Sequence, residues 1–160
     1  MTYDETTDVA VSRGDIHQYV SFLLNEEEYG IDILRVQEII RFAELTRIPQ
    51  SPPFIEGVLN LRGKVVPVMD LRTRFSLPKG ERDRSTRIIV VDVYSKVMGM
   101  IVDAVSEVLQ IEEEQIAPPP PMGALIDSEY IRGMAKIDDR LMILLDVDKI
   151  LSTEELATLE

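Results

Sequence analysis

The stretch IEGVLNLRGKVVPVMDLR, residues Ile55–Arg72, carries the clearest structural signals in this 160-residue chain. Short runs rich in valine and leucine flank the turn Arg62–Lys64, which is typical of two β-strands joined as a hairpin. Gly63 suits such a turn because glycine adopts positive φ without a steric penalty. Pro67 cannot donate a ladder hydrogen bond and belongs at an edge or a bulge. The stretch therefore predicts a hairpin, followed by a short turn that Asp70 caps.

Strand-like runs continue towards the N-terminus. Gln18–Leu24 is β-branched and aromatic and ends at the polar turn Asn25–Glu28, so we expect a hairpin with Tyr29–Ile33 as the second strand. Asp32 can cap a short helical turn, after which Ile39–Phe42 returns to strand character. Short strands separated by regularly spaced turn signals indicate small β-barrels or sandwiches.

The second half of the chain repeats the first. Gly30–Ile39 aligns with Gly99–Val108, and Ile55–Val58 aligns with Ile131–Met134 at a larger offset, the difference falling at the proline-rich loop Ala117–Leu125. The matches are Gly30 with Gly99, Val36 with Val105, Glu38 with Glu107, Ile55 with Ile131, Gly57 with Gly133 and Asp70 with Asp146. A chance match between valine- and glycine-rich strands is the alternative explanation. The polar segment Leu77–Thr86 is expected to connect the halves.

The expected architecture is all-β, with two packed five-stranded β-barrel subdomains, short helices and a C-terminal helix. We place the lobes at about 16–80 and 85–151 within one domain, 16–151, and allow strands to exchange between them. Residues 1–15 are expected to form a flexible acidic tail, and the capping-box spacing at Ser152 predicts a short helix over 152–160. Because lobes of about 65 residues are marginal, they should share an apolar interface and unfold together.

Composition narrows the classes of partner. The 17 basic and 29 acidic residues give a net charge of −12, which disfavours nucleic acid and anionic membrane surfaces. The absence of cysteine excludes disulfides and thiolate chemistry and suits a reducing compartment, so we expect a cytoplasmic location. No apolar run approaches the roughly 18 residues that span a bilayer, and no signal peptide is expected.

Catalytic signatures are sparse. His17 is the only histidine and lies where the polar tail meets the first apolar segment, which is a poor place for a catalytic triad. No phosphate-binding loop, dinucleotide fingerprint or metal-binding motif occurs, so no cofactor and no metal are expected. The acidic runs Glu26–Glu28 and Glu112–Glu114 could serve acid–base chemistry, but solvated turns are the commoner case. A carboxylate-based small enzyme stays open as an alternative.

Polar residues on rigid turns and apolar residues outside a core are the better candidates. Arg62, at a hairpin tip, could bind a carboxylate through two parallel hydrogen bonds or could be a solvated turn residue. Glu38, inside an apolar stretch, must either point outward or find a basic partner. Four residues occupy equivalent places in the two halves and predict an apolar strip near the seam: Val36, Ile39, Val105 and Val108. Such a strip belongs to the core or, if exposed, suits a partner helix.

These residues lie in segments that closely resemble the CheW family of chemotaxis coupling proteins. The segments are EEEYGIDILRVQEII (Glu26–Ile40), TRIP (Thr46–Pro49), the stretch quoted at the outset, GMIVDAVSEVL (Gly99–Leu109) and YIRGMAKIDDRLMILLDVDKIL (Tyr130–Leu151). The resemblance implies SH3-like barrels and a non-catalytic adaptor. Such an adaptor joins the cytoplasmic tips of methyl-accepting chemoreceptors to the regulatory domain of the histidine kinase CheA, at membrane-associated receptor arrays. A self-associating β-barrel scaffold is the alternative.

The resemblance also implies two sets of site residues. Those matching family positions for receptor binding are Val36, Glu38, Arg62, Gly99, Val105 and Val108. Those on the lobe that docks the kinase are Ile39, Arg41, Ile48, Gly57 and Val58. Gly57 is expected to allow close backbone approach or positive φ, so that Gly57→Asp should weaken kinase binding and leave the fold nearly intact.

Overall fold

The computed structural model describes residues 16–118, 130–151 and 155. Its strands are β1 (Ile16–Leu24), β2 (Glu27–Asp32), β3 (Val36–Arg41), β4 (Gly57–Leu61), β5 (Lys64–Asp70), β6 (Arg87–Val93), β7 (Lys96–Val102), β8 (Ala104–Glu112), β9 (Ile116–Ala117), β10 (Ile131–Ile137) and β11 (Arg140–Leu145). The helix α1 spans Leu71–Arg74, and 3-10 turns span Ile33–Arg35, Glu113–Gln115 and Val147–Lys149. No helix in these ranges is long and apolar enough to cross a membrane. The expected tail, 1–15, and nearly all of the expected C-terminal helix lie outside the described residues.

Two-residue turns join successive strands into four hairpins. Both turn residues have positive φ in the turns at residues 25–26, 62–63 and 94–95. This is the type I′ geometry, whose twist matches that of the flanking strands. The predicted turn at Arg62 is therefore confirmed, with Gly63 at a φ of 87° and Arg62 itself at 50°. Lys64, which we placed in the turn, begins β5 instead.

The strands form two sheets that both mix the halves of the chain. One sheet has the order β8-β1-β2-β11-β10-β9 and the other has the order β3-β6-β7-β5-β4. We call the second sheet, residues 36–102, the middle lobe and the first the terminal lobe. The all-β fold with two subdomains is confirmed. Strands exchange between the lobes, as the sequence analysis allows, because β3 pairs with β6 and β8 pairs with β1. The two-residue β9 gives the terminal lobe a sixth strand.

Strand register shows that the repeat is real. Gly30 lies opposite Leu144 in the terminal lobe, and Gly99 lies opposite Val68 in the middle lobe. The two pairs are equivalent under the sequence alignment of the two halves. The register also shifts at the same place in the β3–β6 and β1–β8 pairings. Because both the register and the bulge coincide, the match between the two halves is not due to chance. Each lobe is assembled from parts of both repeats.

The largest apolar cluster joins the two lobes. It contains Phe22, Tyr29 and Ile31 from the terminal lobe and residues such as Met69 and Met100 from the middle lobe, all buried. Each lobe adds a smaller cluster of its own. Since burial of a large apolar side chain contributes about 1.5–3 kcal/mol, much of each lobe's stability depends on the other lobe. The expected shared interface is therefore present.

Aspartates begin the short helical turns, as the sequence predicts. Asp32 and Asp70 each accept a hydrogen bond from the backbone N–H two residues later, at 2.9 Å. Asp146, the repeat equivalent of Asp70, does the same at 3.1 Å. These caps satisfy amide groups that have no partner inside the turn. They hold the chain as it passes from β2 to β3 and out of β5 and β11.

Candidate functional site

The candidate surface lies where an edge strand from each lobe borders the shared core. β3 lies at one edge of the sheet of the middle lobe, and β8 lies at one edge of the sheet of the terminal lobe. Val36 on β3 and Val105 on β8 are half-buried and pack against the shared core cluster. Both strands therefore lie along the seam between the lobes, where we expected the apolar strip.

Part of this strip is open to solvent. Ile39 on β3 is 38% exposed and Val108 on β8 is 49% exposed. Each lies opposite a fully buried residue of the shared core, Ile89 and Val20 respectively. The two exposed residues occupy the same position in the two repeats. An apolar surface continuous with a core is a favourable contact for another protein, because desolvating it stabilises a complex.

A charged pair on the middle lobe links the turn between β4 and β5 to β3. Arg62 Nη1 donates to Glu38 Oε1 at 3.3 Å, and Arg62 Nη2 donates to Glu38 Oε2, so the pair is bidentate. The hydrogen bond from Arg62 lowers the pKa of Glu38, and the same bond raises the pKa of Arg62. Both groups are thus charged at neutral pH. Arg62 therefore binds a carboxylate through two hydrogen bonds, which is one of the alternatives considered from sequence, and it is also an exposed turn residue.

The turn holds the Arg62 side chain in place. Its own φ of 50° and the hydrogen bond from Gly63 N–H to Asn60 Oδ1, at 2.9 Å, fix the tip of the hairpin. Although 73% of the Arg62 side chain is exposed, its guanidinium group reaches Glu38 on β3, at the other edge of the same sheet. The pair therefore joins the two edges of the curled sheet.

The terminal lobe carries a looser version of this pair. Arg140 Nη1 lies 3.7 Å from Glu107 Oε2, and Arg140 Nε lies 3.7 Å from Glu28 Oε1. Glu107 is the repeat equivalent of Glu38, so the two lobes present related charges at related places. The pair on the middle lobe is closer and bidentate, which makes the two sides of the seam chemically different.

Gly99 does not contribute to the surface. It is buried in β7, and a Cβ added there would lie 2.8 Å from Ile88 Cγ2 and 3.1 Å from Val68 Cγ2. Both neighbours belong to the internal core of the middle lobe. The structure therefore corrects the expectation that Gly99 contacts a receptor. Its missing side chain lets β5, β6 and β7 approach closely.

The residues expected on the kinase side all lie on the middle lobe. Ile39 and Arg41 project from β3, and Ile48, in the connection to β4, is 46% exposed. Val58 is half-buried on β4 and exchanges two backbone hydrogen bonds with Thr46, at 2.8 and 3.0 Å.

Gly57 departs from its expected role. It is buried, its φ is not positive, and an added Cβ would lie 2.9 Å from both Leu45 Cβ and the carbonyl oxygen of Thr46. Close backbone approach is therefore present, but it is internal to the protein. The structure therefore favours a different expectation, that Gly57→Asp destabilises the fold, because an added Cβ would lie 2.9 Å from the carbonyl oxygen of Thr46.

A cluster of arginines in the 77–86 connection was missed from the sequence. Arg82 and Arg84, with Arg87 and Arg41 from the flanking strands, line a cavity of about 530 Å³ on the middle lobe. We call this cavity the arginine pocket. The sequence marks this segment only as a polar connection. The signal available was the run RDRSTR, Arg82–Arg87, with three arginines in a chain of net charge −12.

The acidic runs have local partners. Ser21 Oγ donates to Glu28, and His17 Nε2 lies 3.0 Å from Glu113 Oε2. Within ranges 16–118 and 130–151, no three His, Asp or Glu side chains are grouped closely enough to hold a metal ion. These carboxylates lie on the terminal lobe.

The chain contains two intertwined repeats around one shared core, with an exposed apolar seam and a charged pair. These features define a class of two-lobed β-sheet domain. A model of the CheW-like domain matches residues 18–155. The chain therefore belongs to the CheW-like family. Chemotaxis protein CheW of Klebsiella aerogenes is 43% identical over 143 residues, covering 89% of this chain and 86% of that protein.

Other relatives extend this comparison. Chemotaxis protein CheW of Bacillus subtilis is 36% identical over 136 residues, covering 84% of this chain and 86% of that protein. The crystal structure of the scaffolding protein TtCheW from Thermoanaerobacter tengcongensis is 42% identical in sequence and superposes with a TM-score of 0.79. The match covers 87% of this chain and 90% of that structure. The family and the two-subdomain fold agree with the expectation from sequence.

Proposed function

We propose that this protein is a cytoplasmic chemotaxis adaptor that couples methyl-accepting chemoreceptors to the histidine kinase CheA. The seam binds the helical tip of the receptor, and the side of the middle lobe that carries Ile39, Arg41, Ile48 and Val58 docks the regulatory domain of the kinase. The complex assembles at membrane-associated receptor arrays. Membership of a family whose relatives are named as chemotaxis and scaffolding proteins supports this assignment.

The observation that carries the receptor assignment is the open apolar strip, together with the Glu38–Arg62 pair. Val108 leaves apolar surface exposed on β8, and Val36 and Val105 lie half-buried against the shared core. A helix that buried it would supply apolar side chains at a spacing of three and four residues. We expect these apolar contacts to supply most of the affinity and the charged pair to set the orientation of the receptor, because exposed charges contribute more to specificity than to affinity.

Reversal of Arg62 tests this proposal. In an array reconstituted from receptor, kinase and this protein, Arg62→Glu should weaken receptor binding about tenfold and leave kinase binding unchanged. The physical reason is that the new carboxylate faces Glu38 and repels acidic groups on the receptor. Lys136→Glu, which makes the same charge change at an exposed position of β10, is the matched control and should bind both partners normally.

A charge-swapped variant separates partner contact from internal pairing. Glu38→Arg combined with Arg62→Glu restores an opposite-charge pair but reverses its direction. If Arg62 contacts the receptor, the swapped variant stays defective. Full recovery of receptor binding would show that Arg62 acts only through Glu38 and would contradict the proposed orientation. Association of this chain only with itself would favour a scaffold instead.

A further inference from the structure

The arginine pocket concentrates positive charge on an acidic protein. Its lining residues are Arg41, Phe42, Arg82, Asp83, Arg84, Thr86 and Arg87. Four arginines and one aspartate therefore line the cavity, whereas the chain as a whole carries a net charge of −12. Clustered like charges repel one another, so an acidic ligand would bind with a favourable electrostatic energy.

One of the four arginines is balanced within the protein. Arg82 Nη2 lies 3.0 Å from Asp70 Oδ2 and 3.5 Å from Glu56 Oε2. Its guanidinium carbon also lies 4.8 Å from the centre of the Phe42 ring, in a cation–π contact. Arg82 and Phe42 thus form a fixed wall of the pocket.

The other three arginines are not balanced. Among the residues that the structure describes, Arg41, Arg84 and Arg87 have no carboxylate within ion-pair distance. Arg87 Nη1 donates to the carbonyl oxygens of Arg84, at 2.7 Å, and Thr86, at 3.0 Å. These carbonyl groups orient the guanidinium without neutralising it. Three guanidinium groups therefore remain available to carboxylates, with which they form bidentate pairs.

The backbone of the pocket favours carboxylate side chains over a small phosphate. Phosphate sites in proteins commonly use free backbone N–H groups. In this loop the N–H of Asp83 donates to Thr86 Oγ1 at 2.9 Å, and the N–H of Ser85 donates to Asp83 Oδ1 at 2.7 Å. Recognition would therefore rely on arginines spread along the surface, which suits an extended acidic segment.

The position of the pocket indicates the kind of partner. Arg41 lines the pocket at the end of β3, and the exposed Ile39 lies two residues earlier on the same edge strand. The pocket is thus continuous with the side of the middle lobe to which we assign the kinase. A protein docked on that side could place an acidic segment in the pocket without a second binding event.

We propose that the arginine pocket binds a carboxylate-rich segment, with two or more Asp or Glu residues, of the protein that docks on the middle lobe. The identity of that protein as the kinase rests on the proposed function, and the acidic chemistry of the ligand rests on the pocket alone. The segment pairs with Arg41, Arg84 and Arg87 and steers association through charge, so that the affinity falls as salt rises.

The test compares Arg84→Glu with Lys136→Glu in titrations against full-length kinase, at about 50 mM and about 300 mM salt. Arg84→Glu should raise the dissociation constant about tenfold at low salt and reduce its salt dependence. Lys136→Glu should change it by less than about twofold, because its charge lies on the other lobe. Thermal unfolding establishes that the variants are folded, and Arg84→Ala replaces Arg84→Glu if the latter is not.

Four results are decisive. A tenfold loss confined to the Arg84 variant supports the inference. Equal affinity and equal salt dependence of wild type and Arg84→Glu overturn it and leave the proposed function standing. If wild type does not bind the kinase, the proposed function fails, and a hexaglutamate peptide decides the inference: saturable binding that Arg84→Glu abolishes supports it, and no binding overturns it. Tighter binding of pyrophosphate than of the peptide also overturns it, in favour of a small-phosphate site.

Discussion

Substitution of Gly99 by alanine tests whether this position acts through packing. The added methyl would lie 2.8 Å from Ile88 Cγ2 and 3.1 Å from Val68 Cγ2, inside the separation of about 3.5–4.0 Å at which carbon atoms pack well. Overpacking of this kind costs about 1–3 kcal/mol. Restriction of the unfolded chain offsets about 0.4–1 kcal/mol of this cost. The clash is the larger effect, so Gly99→Ala should lower the free energy of unfolding by roughly 1–2 kcal/mol.

The assay is urea unfolding followed by circular dichroism, supported by thermal melts. For a domain of this size the expected loss corresponds to a fall in Tm of roughly 2–8 °C. Ile88→Leu removes the methyl group nearest to the new Cβ, so the double variant should be more stable than the sum of the single effects. If Gly99→Ala kept wild-type stability and still lost receptor binding, Gly99 would face a partner and the packing argument would be refuted.

Other contacts in the two lobes give three more predictions. Gly57→Asp should lower the urea midpoint markedly, because the side chain meets the backbone at Thr46, 2.9 Å from the Cβ position; wild-type stability would show that this segment moves aside. Burial raises the pKa of Asp103, but hydrogen bonds from Arg72 and from the Asn25 N–H outweigh it and hold that pKa below the ordinary 3.8. This pair stabilises the fold above the unfolded pKa and is lost as the pH falls through the folded pKa. Between about pH 6 and about pH 3, wild type should therefore lose up to about 1 kcal/mol more than Asp103→Asn in urea titrations, and parallel curves would argue against the pair. Calorimetry should show one unfolding transition, since the largest core cluster belongs to both lobes, and two separate transitions would disprove that coupling.

Features set by neighbouring residues could be predicted from the sequence. The turn at Arg62-Gly63 and the capping roles of Asp32 and Asp70 depend on contacts within a few positions of the chain, and all three are present. The repeat was visible as well, because equivalent turns and caps recur in the same order in both halves. The family followed from the longer motifs that contain these features.

Pairings between distant residues required the tertiary structure. Which strands exchange between the lobes, such as β3 with its partner β6, could not be assigned from sequence, because a strand pattern records which face is apolar but not which strand becomes its neighbour. For the same reason, the sequence did not reveal that Gly99 is buried or that Gly57 packs against residues inside the protein. The residues that crowd these glycines lie on other strands or loops. It also hid the arginine pocket.

The hairpins, the caps, the repeat and the family were all readable in the amino-acid sequence, because local backbone sterics and short-range hydrogen bonds act between residues that are close in the chain. The folded chain was needed to establish which strands share a lobe and which carboxylate Arg62 binds. It was also needed to show that Arg41 joins the arginines of a loop that is distant in the sequence, since burial and ion pairing depend on distance in space.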